Sequence, residues 1–250
     1  MRYAQVPMKR FACVLAILGA AMLTPAASSG QPGTRVLVIT GGHDFETGPF
    51  FKLFRDNSAI TVAAAEHGPD SATAWEGDDL VTFDAVVLYD MPRSITPAQQ
   101  RNMRSLFERG TGLLVLHHAL VSFQDWPDYE RIIGGRYPEP PPGQPQVSSA
   151  VGYQHDVDVP VTILDTRHPI TAGMKDFTIR DEIYWGFRVG SDVHPLLGTT
   201  HPKAGQPLMW TRTEGRSRVV FLQLGHDRHA FENLNFRELV ARSISWVARR

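Results

Sequence analysis

One stretch constrains the fold of this chain more than any other: GTGLLVLHHAL, Gly110 to Leu120. A glycine turn leads into four consecutive apolar residues, Leu113 to Leu116, and the run stops at two histidines. An apolar run this short, with a turn on one side and a polar switch on the other, reads as a central strand of a parallel sheet, buried on both faces. His117 and His118 then stand at its carboxyl end, the edge of an open α/β sheet where ligands bind.

The neighbouring chain repeats the pattern. Arg35 to Gly41 reads as a first strand closed by a Gly-Gly turn, Ile60 to Ala65 as a second and Asp84 to Asp90 as a third. A helix is expected near Gly48 to Asp56, with Thr47 as N-cap and Pro49 in its first turn. Thr96-Pro-Ala-Gln99 is a capping box and predicts a helix over Pro97 to Arg109, stopped by Gly110. Asp128 to Ile133 reads as a short helix and Pro138 to Gly143 as a surface excursion. Val157 to Leu164, Phe177 to Ile183, Pro207 to Arg212 and Arg218 to Leu224 read as strands, and Asn235 to Ala248 as a helix capped by Asn235. Strands alternating with helices over short connections imply a single α/β domain around a doubly wound, mostly parallel sheet of Rossmann or flavodoxin type.

The N-terminus follows a different rule. Arg2, Lys9 and Arg10 precede an apolar run from Phe11 to Leu23 and then small residues to Gly30, the order of a secretory signal peptide over residues 1–30. The run is shorter than the roughly twenty residues that span a bilayer, so no stable membrane span is expected after cleavage. Export to the periplasm or beyond follows, with residues 31–250 as the mature domain. Cleavage removes Cys13, the only cysteine, and with it any disulfide, thiolate nucleophile or cysteine metal ligand. It also lowers lysine plus arginine from 25 to 22 against 26 acidic residues, and a net charge of −4 argues against nucleic acid as a partner.

Three strands end in histidine-bearing turns: Gly41-Gly-His43-Asp44, Leu116-His117-His118 and Gly225-His226-Asp227. Parallel strands bring their carboxyl ends to one edge, so His43, His117 and His226 are expected to converge. Asp181-Glu182-Ile-Tyr184 adds two carboxylates and a phenol for general acid or base work or for metal binding; its plainer reading is a solvated turn. His67, His194 and His201 take structural readings, and His168-Pro169 fixes a turn. Gly41-Gly42 does not make a dinucleotide site, because no third glycine follows at the required interval and Asp44 and Glu46 repel an anion. No GxSxG elbow is present, and the strand-to-helix position that would expose a nucleophile is taken by His117-His118. Histidine and carboxylate acid–base chemistry remains, or a divalent metal, zinc, manganese or nickel, held by His43, His117 or His226 with a carboxylate.

In their order, VLVITGGHDF, GTGLLVLHHAL, RHPITAGMKDFTIRDEIYWGF and PLMWTRTEGRSRVVFLQLGHD resemble the ThuA-like (trehalose utilisation) family and cover nearly all of Arg35 to Arg250. The resemblance implies a class I glutamine amidotransferase-like fold in which His117 stands near the elbow where amidotransferases carry cysteine, so glutamine hydrolysis should be absent. His118 departs from the small residue expected there. The resemblance also implies a role in sugar metabolism, on sugars, glycosides or keto-sugars handled beside a sugar oxidoreductase. In that setting His117, His226, Glu182 and His43 are the expected catalytic groups, by hydrolysis, elimination or isomerisation. Asp44 and Asp227 would orient imidazoles, while His118, Tyr184 and Trp185, with Trp126 and Trp210, would contact the sugar. The competing expectation is a non-catalytic module that binds a carbohydrate or a partner enzyme.

Overall fold

In a computed structural model of the protein the strands at 34–41, 85–90, 112–116 and 217–222 lie side by side at the centre of a nine-stranded sheet. The structure describes residues 33–68, 72–141, 143–144 and 149–249. The expected signal peptide, its expected cleavage region and Cys13 lie outside them. In chain order the strands are β1 (Thr34–Gly41), β2 (Ile60–Glu66), β3 (Ala85–Asp90), β4 (Gly112–Leu116), β5 (Gly135–Arg136), β6 (Gly152–Ile163), β7 (Phe177–Trp185), β8 (Arg188–Val189), β9 (His194–Thr199), β10 (Met209–Glu214) and β11 (Ser217–Leu222). The helices are α1 (Thr47–Arg55), α2 (Pro97–Arg109), α3 (Asp128–Ile133), α4 (Arg228–Glu232) and α5 (Leu234–Val247). Among the described residues no helix is long and apolar enough to cross a membrane.

The sheet runs β2-β1-β3-β4-β11-β10-β9-β6-β7. Its first five strands are parallel and the rest antiparallel. Alternation within each central strand sends side chains to opposite faces. Val36, Val38, Leu114, Leu116, Val220 and Leu222 join the layer under α1, α4 and α5, with Phe50, Phe231 and Phe236. Leu37, Ile39, Leu113, Val115, Val219 and Phe221 join the layer under α2 and α3, with Met103, Phe107 and Ile133. Burial on both faces, at about 1.5–3 kcal/mol for each large apolar side chain, is why these strands read as unbroken apolar runs.

The helix ends show where local rules governed. Thr96 accepts from the Gln99 amide, the Gln99 side chain accepts from the Thr96 amide, and Gly110 closes α2 at φ +91°, as the capping box requires. Two expected caps are corrected. Asn233, not Asn235, caps α5, because its side-chain oxygen Oδ1 accepts from the backbone amides of both Asn235 and Phe236. Thr47 is the first residue of α1 and not its cap; Glu46 precedes it, and its carboxylate is engaged by Arg228. The strands and helices that went unread are β5 and β8, β9, whose His194-Pro195 start and Gly198 mask its period, the α4 turn, and the first five residues of β6. Trp126 and Trp210 are buried core residues and not sugar platforms, the Trp210 indole N–H donating to the Ile133 carbonyl.

Candidate functional site

The carboxyl ends of β1, β3, β4 and β11 share one edge, and the site is built there. At the first of them the Gly41-Gly42 turn, with φ +127° and +75°, lets the chain pass so close to His67 and Met91 that a Cβ would lie 2.5 Å and 2.7 Å from their backbones. Only glycine fits, and the turn delivers His43. At the end of β4, His117 adopts φ +51°, a left-handed conformation that few non-glycine residues take, and opens a buried 3-10 turn over His117–Val121.

His117 is fully buried, and its Nδ1 donates to the Gln223 carbonyl at 2.6 Å, which turns Nε2 inward. That nitrogen lies 2.9 Å from Glu182 Oε2 and 2.9 Å from the Tyr184 hydroxyl. His226 Nδ1 stands 3.3 Å from the same Glu182 oxygen, and His155 Nδ1 is 3.2 Å from the other. One carboxylate therefore meets three imidazoles contributed by β4, β6 and the turn after β11. Glu182 and Tyr184 belong to β7, at the far end of the sheet order, so the β6–β7 hairpin comes round to meet the β4–β11 edge. Asp181 anchors this contact by accepting from the amides of Gly225 and His226 at 2.8 and 2.9 Å. The Tyr89 hydroxyl holds the same turn through the Gly225 carbonyl.

The electrostatics follow from burial and pairing. Burial opposes the charge on Glu182, but the hydrogen bonds and charges of His117 and His226 overcome it and hold its pKa well below the usual carboxylate range. Glu182 in turn raises the pKa of His226 through its hydrogen bond, against desolvation. Burial pushes the Tyr184 phenol well up and the Asp181 carboxyl up. His118 is pushed well down, first by burial and then by His117 and His43, so it stays neutral.

Above the cluster opens a pocket of about 870 Å³, walled by Tyr137, Tyr153, Trp185, His155, Glu182 and Tyr184. Pro140, Pro141 and Gly143 also line it, so the proline-rich loop that reads as a surface excursion forms one wall of the pocket.

Of the residues singled out in the sequence, the fold brings His117, His226, Glu182 and Tyr184 into mutual contact. Glu182 and Tyr184 are buried in a strand, not in a solvated turn. His43 lies outside the group: it is exposed on the pocket wall, stacked on His118 at 4.6 Å, and the third donor beside His117 and His226 is Glu182. Asp44 offers His43 only its backbone carbonyl, at 2.6 Å. The Asp227 carboxylate caps α4 and pairs with His229 rather than with His226. Trp185 stands on the pocket wall with its indole N–H on Ser149. Sequence reading missed His155, Tyr137 and Tyr153. Alternation of Tyr153 and His155 with Gln154 and Asp156 was the available signal. A register shift between Gln154 and Val157, with Asp156 at φ +57°, breaks the period where β6 would have been recognised.

The model of a family described as trehalose utilisation, ThuA, matches residues 35–247. The fold is shared with solved structures of a ThuA-like protein from Parabacteroides merdae ATCC 43184 (19% identity, 86% of this chain and 90% of that one, TM-score 0.75) and another from Bacteroides uniformis ATCC 8492 (17% identity, 90% and 95%, TM-score 0.67). It is shared also with PurLQS from Thermotoga maritima (13% identity, 86% and 99%, TM-score 0.54). At these identities the likeness establishes the architecture, a class I glutamine amidotransferase-like α/β fold. Among curated proteins none matches the chain.

Proposed function

The chain belongs to the ThuA (trehalose utilisation) family, and from that premise we propose that it is an enzyme of carbohydrate metabolism that moves a proton beside the carbonyl of a keto-sugar or keto-glycoside. The observation that carries this reading is the Glu182 carboxylate ringed by His117, His226 and His155 at the floor of the pocket. A volume of about 870 Å³ falls in the range of small-molecule sites, and the rings of Tyr137, Tyr153 and Trp185 offer apolar faces to a sugar.

The groups divide the work by their protonation. Glu182 stays ionised and so serves as a fixed charge, not as a proton donor. Tyr184 keeps its phenolic proton and points it at the cluster, where it can donate to a carbonyl oxygen as negative charge builds there. His155, half-exposed on the pocket wall, is placed to take the proton from the adjacent carbon. The resulting enediolate either expels a β-substituent or is reprotonated, which covers elimination and isomerisation; addition of water to the elimination product completes a net hydrolysis. No nucleophile is needed, in keeping with histidine at the β4 elbow. A keto-sugar substrate requires an oxidoreductase upstream.

The test is exchange of the carbon-bound proton. Incubated in D₂O with 3-keto-glycosides, the protein should incorporate deuterium next to the carbonyl, visible by NMR, and form product. His155→Ala and Glu182→Gln should slow both by about 10² or more, the usual worth of a positioned acid or base. If a ligand binds but neither exchange nor product appears with any keto-sugar, the enzyme reading fails and a carbohydrate-binding module takes its place.

A further inference from the structure

We propose that His117 Nε2, Glu182 Oε2 and His226 Nδ1 bind one divalent transition-metal ion, with its remaining coordination positions open toward the pocket. Three independent features support this. The first is chemical: with His117 Nδ1 donating to the Gln223 carbonyl, Nε2 of the same ring faces the Glu182 carboxylate oxygen at 2.9 Å, where a cation can take the place of a bridging proton. His226 Nδ1 approaches the same oxygen at 3.3 Å, and one ligand atom from each of the three residues lies within 4.8 Å of the other two. Two imidazole nitrogens and a carboxylate oxygen converging in this way are a ligand set that one metal ion can hold in place of protons.

The second feature is metric. With metal–ligand bonds of about 2.1 Å, adjacent ligand atoms stand about 3.0 Å apart in an octahedral shell and about 3.4 Å in a tetrahedral one. The two spacings from Glu182 Oε2, 2.9 and 3.3 Å, fall close to those values, and the two imidazole nitrogens lie within 4.8 Å of each other. The third is that each donor is held in place by a further group. Gln223 fixes the His117 tautomer, Asp181 accepts from the His226 amide, and His155 occupies the second oxygen of Glu182. Metal-binding imidazoles and carboxylates are characteristically oriented by such partners.

Two imidazoles and a carboxylate suit zinc, manganese, iron, cobalt or nickel better than the all-oxygen preference of calcium or magnesium. Glu182 and Tyr184 line the pocket, so an ion held by Glu182 would present a face to a ligand there. Its chemistry there is that of a Lewis acid on a carbonyl or hydroxyl oxygen. The inference rests on this pocket being the reaction centre of the function proposed above, and it frees the Tyr184 hydroxyl, 2.9 Å from the same nitrogen, to donate to substrate.

Metal binding is measured without turnover. The full chain, free of any tag and stripped with dipicolinate, is titrated with Zn²⁺ and Mn²⁺ by calorimetry and with Co²⁺ by visible absorption. The expected result is one ion per chain, micromolar or tighter for Zn²⁺. Affinity should fall about 100-fold in Glu182→Gln and His226→Ala and about 10-fold in His155→Ala, while the surface variant His194→Ala binds as wild type does. In the unmutated protein Zn²⁺ should shift the imidazole ¹⁵N resonances of His117 and His226 and leave those of His194 in place, a readout that does not depend on the variants folding. Absence of stoichiometric binding, or shifts confined to other histidines, overturns the proposal. Turnover of a keto-sugar by metal-free protein would sink the metal and keep the sugar chemistry; one bound ion with no turnover of any keto-sugar would do the reverse.

Discussion

His117 holds two conflicting assignments. Its ring supplies the central imidazole, while its backbone sits at φ +51°, a conformation that costs an L-residue about 1–2 kcal/mol. Comparing two side-chain deletions isolates the backbone share: His117→Gly should be about 1 kcal/mol less destabilised than His117→Ala in urea unfolding, because glycine adopts φ > 0 freely. Equal stabilities would mean that the turn carries no strain. The hydroxyl of Tyr184 is a second isolable group. Tyr184→Phe should lower kcat on a keto-glycoside by about 10² with little change in KM, whereas His43→Ala, on the pocket wall, should raise KM and leave kcat within a few-fold. The opposite split would move the chemistry toward His43. At this scale much was legible: His117 and His226 sit where apolar runs give way to polar residues, which a pattern search finds, and Glu182 stands out beside Asp181 although it lies inside β7. His155 was not, because a bulge hid its strand.

Among the elements, α2 shows what local code determines. Its capping box and glycine stop are readable residue by residue and are present as written. Thr96→Ala should therefore cost about 1 kcal/mol of stability with activity per folded molecule unchanged. The β5–β8 ribbon is of another kind. It is tied to α3 by Arg188, which grips both oxygens of Glu130 at 2.9 and 2.7 Å, across fifty-eight residues of sequence. Hydrogen bonding from Arg188 holds the Glu130 pKa below its usual 4.5, against desolvation. A carboxyl with a depressed folded pKa adds stability above the unfolded value, and that stability is lost as pH falls through the folded one. Arg188→Ala should thus cost about 0.5 kcal/mol at pH 7, a figure already reduced for solvent screening, and nothing measurable once Glu130 is protonated in both states at low pH. A cost that is the same at both pH values would show that Arg188 acts through packing alone. No periodicity points to such a pair, because charge partners on separate elements leave no mark in either segment.

For the molecule as a whole, the parallel half and the antiparallel half of the sheet are unequal in burial. Every residue of β3 and β4 is buried, whereas β6 alternates through exposed positions and β7 is a sheet edge. Native-state hydrogen exchange should report this as a hierarchy, with β6 and β7 amides opening by sub-global unfolding while β1, β3, β4 and β11 exchange only with global unfolding. Exchange of β7 at the global limit would contradict it. The site depends on that weaker half, since Glu182, Tyr184 and His155 all come from the hairpin and meet His117 and His226 only when it closes.

The sequence by itself determined the class of fold, the central parallel strands, the α2 helix and the edge where chemistry gathers. Each of these follows from short-range rules: apolar runs buried on two faces, caps within four residues, strand ends that share a side. Tertiary structure alone decided which groups meet. Distances of 2.9 to 3.3 Å between side chains up to 67 residues apart are set by the path of the β6–β7 hairpin around the sheet. That path is fixed by packing and by the Asp181 anchor, interactions whose partners are neighbours in space and strangers in sequence.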